Sequence, residues 1–138
     1  MTNARSDKSD LLHWLSRWPA TAAMALFIAV VNRLPAPALP PGPAIPHIDK
    51  VVHFAFYFPL GALFFRSLRH KIPDKLLPAI IIAGSLGTLF AALDEWSQRF
   101  VDRTPDVLDF YANVLGLACG IIFIIAWQRR RKRLDGKQ

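Results

Sequence analysis

The chain has 138 residues, of which 53% are hydrophobic, and it carries a net charge of +7 with a positive mean hydropathy. A soluble domain this short would need more polar surface to cover its core, so the composition points to membrane insertion and one compact domain. Nucleic acid is excluded as a partner, because the basic residues sit at the edges of apolar runs and not along one stripe.

In chain order, residues 9–17 place Leu11, Leu12, Leu15 and Trp18 on one helical side. That predicts a short interfacial helix within a cytoplasmic tail of residues 1–17. The first apolar run covers residues 18–31 and reaches the minimum spanning length only when Leu34 is included. Positive charge before it and Pro35-Ala36-Pro37-Ala38 after it resemble a signal peptide. The long tail before the run and Arg33 in the cleavage region favour an uncleaved anchor. Residues 33–49 follow, with prolines at 35, 37, 40, 41, 43 and 46. Proline fixes φ, so this stretch is expected to be a stiff strap spacing two helices, in preference to a proline-rich ligand for a partner.

Three further apolar runs cover residues 51–68, 76–93 and 107–127. Each can cross a hydrocarbon core ~30 Å thick as a helix rising ~1.5 Å per residue. Helix is the form that satisfies the backbone in lipid. Trp14, Trp18 and Trp127 lie beside basic residues, as interfacial anchors do. Cys119 lies in an apolar run without metal-ligand spacing around it and reads as a small packed residue. The fold class is therefore all-α, an integral membrane bundle of four transmembrane helices. Residues 18–128 form the membrane domain and 129–138 a basic cytoplasmic tail.

Thirteen Lys and Arg residues fall in the two tails and the connection between spans two and three. Only Arg33, Lys50, Arg99 and Arg103 fall on the opposite side. This bias places both termini in the cytoplasm. The polar residues of the spans then gather at the extracytoplasmic face.

Those residues form stripes. Asp49, His53 and Tyr57 are four apart on span two. Glu95 and Gln98 share a face of span three that continues through Ala91, Thr88 and Gly84. Asp106, Asp109, Asn113, Gly116 and Gly120 run along span four. The small residues Gly116 and Gly120, set against the Gly84 stripe, predict tight packing of spans three and four. Glu95 would thereby come close to Asp109 and Asn113. Carboxylates at the membrane edge must be paired, hydrated or protonated. One reading is an ion-pair network in which Lys50 and Arg103 bond Glu95, Asp106 and Asp109. The other is a functional site built from the same residues around a solvent-filled pocket.

The string Asp49-Lys50-x-x-His53-Phe54-x-x-Tyr57 resembles the opening motif of the VanZ-like family. Glu95-x-x-Gln98, then Arg103-Thr104-Pro105-Asp106-x-x-Asp109-x-x-x-Asn113-x-x-Gly116, resembles its second and third motifs in the same order. The resemblance covers residues 49–120. The turn Phe100-Val101-Asp102 lacks a glycine often found there. The resemblance implies a multi-pass protein of the bacterial inner membrane, in a family named for a member that confers low-level teicoplanin resistance. It also implies that the polar residues act as a set.

On chemistry, His53, Glu95 and Asp109 are the catalytic candidates, as groups able to exchange a proton. Lys50 and Arg103 could hold a phosphate, Arg in bidentate fashion. Asp49, Tyr57, Gln98 and Asn113 complete the substrate-binding set. The ligand types of His53, Asp49, Glu95 and Asp109 would suit a divalent ion. No two His residues have ligand spacing, however, so no metal or other cofactor is expected. The chain carries no Walker loop, zinc helix or serine elbow, which leaves enzymatic activity open and any reaction unnamed. The expected function is binding or modifying a cell-envelope lipid or lipid-linked precursor, with an effect on glycopeptide susceptibility. The alternative is an accessory membrane protein whose helix ends form a salt-bridge staple without catalysis. The expected partners are membrane lipids, and beyond them such a precursor or a partner membrane protein.

Overall fold

The computed structural model describes residues 18–34, 46–72, 74–101 and 103–135. The expected interfacial helix and most of the proline strap lie outside the described residues. The apolar runs form helices α1 (Trp18–Asn32), α2 (Ile48–Lys71), α3 (Leu76–Ser97) and α4 (Val107–Asp135). A single 3-10 turn, Gln98–Val101, follows α3. There is no strand among the described residues, so the all-helical class holds.

α2, α3 and α4 are each long and apolar enough to cross a membrane. α1 has 15 residues and rises only ~22 Å, short of a ~30 Å core. Leu26, Val30, Ile81, Leu89, Leu115 and Ile122 are exposed on the outside of the bundle. In lipid these are the correct outward residues, since the bilayer is as apolar as they are.

Local signals set the helix ends. His47, at φ 61°, turns the chain in the left-handed region just before α2. The Asp106 carboxylate accepts the Leu108 N–H at 2.8 Å, satisfying one of the free donors of the first turn of α4. Pro78 falls in the first turn of α3, where its missing N–H costs little.

α2 is the central helix and packs against the other three. Its closest partner is α4. A methyl group added at Gly116 would meet the Phe54 carbonyl oxygen, one at Gly120 that of Phe58, and one at Gly61 that of Leu117. The two backbones therefore touch, as small-residue stripes allow. This corrects the expectation that Gly116 and Gly120 pack against span three. Gly84 has open space beside it, and with Thr88 it lines an apolar groove. α3 instead meets α4 where Leu117 lies over Gly87, on the stripe Ala79, Ala83, Gly87, Ala91. Adjacent residues on a helix point ~100° apart, so Gly116 and Leu117 serve different neighbours. α1 lies antiparallel to α2: Thr21 bonds Ser67 at 3.0 Å near one end, and Phe27 meets Phe56 edge-on nearer the other.

Candidate functional site

Because the helices alternate in direction, the C-termini of α1 and α3 and the N-termini of α2 and α4 meet at one end. All nine candidate residues lie at that end. They fall in two hydrogen-bonded groups, one of which spacing does not predict.

The unforeseen group centres on Asp94, which is 2% exposed. Its Oδ2 accepts the Asn32 amide at 2.6 Å and the Tyr57 hydroxyl at 2.9 Å. Arg33 approaches Oδ1 at 3.5 Å and donates to Ser97 Oγ at 2.6 Å. The Ser97 hydroxyl in turn donates to the Asp94 carbonyl at 2.7 Å. The result is a closed knot joining α1, α2 and α3. Tyr57 belongs here and not with His53, although the two are one turn apart. Asp94, Asn32, Arg33 and Ser97 were not singled out by spacing. For Asp94 the signal is the continuation of the Ala83, Gly87, Ala91 stripe, one position beside Gly84 and Thr88.

The second group centres on Asp109 and Lys50. Lys50 Nζ donates to Asp49 at 2.7 Å, Asp106 at 2.7 Å and Asp109 at 2.8 Å. Among the described residues, the oxygens of Asp49, Asp106 and Asp109 are the ones that gather closely enough to hold a cation, and the Lys50 ammonium lies among them. The Asp106 carboxyl, outside the membrane-spanning helices, is held below its ordinary value of 3.8 first by its hydrogen bond from Lys50. Glu95 accepts the Asp106 N–H at 2.6 Å and the Gln98 amide at 3.3 Å. It thus ties the end of α3 to the start of α4. Arg103 donates to the Asn32 carbonyl at 3.1 Å and pairs with no carboxylate among the described residues. Of the expected ion-pair partners, Lys50 therefore meets Asp106 and Asp109, while Arg103 meets none.

His53, on α2, faces α4. Its Nδ1 is 3.0 Å from Asn113 Oδ1, and its Nε2 is 3.6 Å from Asp109 Oδ2. With Nδ1–H donating to Asn113, Nε2 and Asp109 face each other as two acceptors unless one of them carries a proton. Asn113 is fully buried, and among the described residues its Nδ2 has no hydrogen-bond partner. Turning the amide over would move the vacancy to Oδ1 without removing it. A buried donor left unpaired is uncommon and marks a place that needs explanation.

These motifs sit in a chain that matches known proteins along most of its length. The family model described as VanZ/LLP1 matches residues 3–128. An uncharacterized protein of Schizosaccharomyces pombe is 32% identical over 124 residues, which cover 87% of this chain and 71% of the relative. No solved structure gives a significant match. On this match and on the fold, a multi-pass helical membrane protein, the chain belongs to the VanZ/LLP1 family.

Proposed function

We propose that the protein crosses the bacterial inner membrane four times with both termini cytoplasmic, and that its outer polar end binds the head of a cell-envelope lipid or lipid-linked precursor. The division of that end into two groups supports this reading. The Asp94 knot is satisfied and acts as a staple. The group of His53, Asp109 and Asn113 is unfinished, and the unpaired Asn113 amide beside His53 is the observation that carries the proposal. His53 and Asp109 are placed to hold and pass a proton, which allows either binding or modification of the head.

Lys50 is held by three carboxylates and Arg99 lies over the Trp96 ring, so Arg103 is the cation we assign to a phosphate oxygen. Asp49, Glu95, Asp106 and Asp109 favour a head that also presents ammonium or hydroxyl donors. Relatedness to a yeast protein favours an occupant found in membranes generally over one peculiar to bacterial walls. An effect on glycopeptide susceptibility would follow from a changed envelope.

The four-span reading rests on α1 lying along α2 from the level of Ser67 to that of Phe56. The orientation rests on the Lys and Arg bias. A reporter placed in the 33–49 connection should face outside, and reporters after Lys75 and Lys132 should face the cytoplasm. A cytoplasmic signal from the 33–49 connection would overturn the placement of the site.

The function is tested by comparing extracted lipids and lipid-linked precursors from cells without the gene, with it, and with His53→Ala at equal protein level. A changed profile shared by the deletion and His53→Ala is expected. Restoration of the normal profile by His53→Ala would reject the site.

A further inference from the structure

The basic end of the bundle gathers several cations around one cavity. At the polar end Lys50 and Arg33 each meet a carboxylate, while among the described residues Arg99 and Arg103 meet none. At the basic end Arg69, Arg129 and Lys132 line one cavity of about 370 Å³, together with Leu76, Ile125 and Gln128. Among the described residues none of these three cations is in an ion pair. Arg69 is also held in place, since its Nη1 donates to the Ile72 carbonyl at 2.9 Å. A guanidinium fixed in this way loses little further freedom on binding an anion.

Depth adds a second argument. The stretch of α4 from Val107 to Trp127 rises ~30 Å, the thickness of the hydrocarbon core. Trp127 is exposed and stacks on Phe123, as an interfacial ring does. Gln128, Arg129 and Lys132 follow within the next turn and a half, at the level of lipid headgroups. Leu76 and Ile125 give the cavity an apolar wall on the membrane side.

We infer that this cavity, formed where α2, α3 and α4 meet, is a binding site for the phosphate head of an anionic membrane lipid. Arg69 and Arg129 supply planar donors suited to phosphate oxygens, and Lys132 adds a point charge. The lipid's glycerol and upper chains would lie against Leu76 and Ile125. A basic pocket between helices at this depth is suited to such a head. The inference stands apart from the proposed outer site, which lies at the other end of the molecule.

The test uses the full chain in a non-denaturing detergent with an equimolar mixture of phosphatidylglycerol and phosphatidylcholine. Native mass spectrometry then counts the lipids retained. The unaltered protein should retain phosphatidylglycerol in preference. The triple change Arg69→Gln, Arg129→Gln, Lys132→Gln should lower that preference at least about tenfold. The control Arg130→Gln, Arg131→Gln, Arg133→Gln removes the same charge outside the cavity and should preserve it. Ile125→Trp fills the apolar wall without altering charge and should also lower retention. Equal loss in the two triple variants would reduce the effect to a charged tail and overturn the site. Full displacement by millimolar inorganic phosphate would show a site for free anions, and would overturn the lipid assignment.

Discussion

Asp94 and Asp109 lie at the same end of one bundle, both almost buried, and they are stabilised in different ways. Asp94 takes two neutral donors, from Asn32 and Tyr57, at short range, with Arg33 more distant. Asp109 takes the Lys50 ammonium on one oxygen and faces His53 on the other at 3.6 Å. The first arrangement has little left to offer. The second has a His53–Asp109 contact longer than a hydrogen bond and, beside it, an amide nitrogen without a partner among the described residues. Burial alone does not distinguish a staple from a site; the completeness of the hydrogen bonding does.

The largest effect should come from the knot. Asp94→Ala strips Asn32, Tyr57 and Arg33 of their shared acceptor, and losing one partner of such a buried set costs ~3–5 kcal/mol. Its abundance in the membrane should fall sharply, as quantitative immunoblotting of membrane fractions would show. Normal abundance would place Asp94 outside the staple.

Next in size is the contact of α2 with α4, which carries both groups. Gly120→Val drives a side chain into the Phe58 carbonyl and should cost ~1–3 kcal/mol or more. Gly84→Ala, beside open space, should change stability by a few tenths of a kcal/mol at most. Chemical unfolding in mixed micelles reads both. Similar losses in the two variants would restore α3 as the close partner of α4.

Asn113→Leu sharpens the comparison from the other group. It removes an unpaired amide nitrogen together with the oxygen that pairs with His53, so stability should fall by ~1–2 kcal/mol. The lipid profile should nevertheless follow that of the deletion. A loss of ~3 kcal/mol would make Asn113 a structural residue.

The smallest effect concerns acid. The Asp106 carboxyl titrates below 3.8 in the folded protein because Lys50 bonds its charged form. Its contribution is therefore present above that value and is lost as pH falls through the lower folded one. Stability followed from pH 7 to pH 3 should show a decline below about pH 4 that Asp106→Asn reduces slightly. An unchanged decline in Asp106→Asn would assign it to other carboxylates.

Much of the frame was legible in the sequence. Hydropathy located the helices, and 3-4 spacing gathered Asp49, His53, Glu95, Asp109 and Asn113 at one end. Helix pairing was not legible, because two small-residue stripes on α3 differ by a single position. Spacing points to Gly84, Thr88 and Ala91, but Leu117 selects Gly87. That same shift of one residue hid Asp94, which continues the buried stripe. Arg103 was misplaced as an ion-pair partner because a loop residue obeys no helical phase, and its guanidinium reaches back to the Asn32 carbonyl.

The division of the polar end is tested most directly by the unfolding free energy of Asp94→Ala measured against that of His53→Ala in the same micelles. His53→Ala leaves the buried Asn113 oxygen without its partner and should lose ~1–3 kcal/mol, less than Asp94→Ala, which leaves three groups without their acceptor. Equal losses would contradict the division and make the whole polar end one staple.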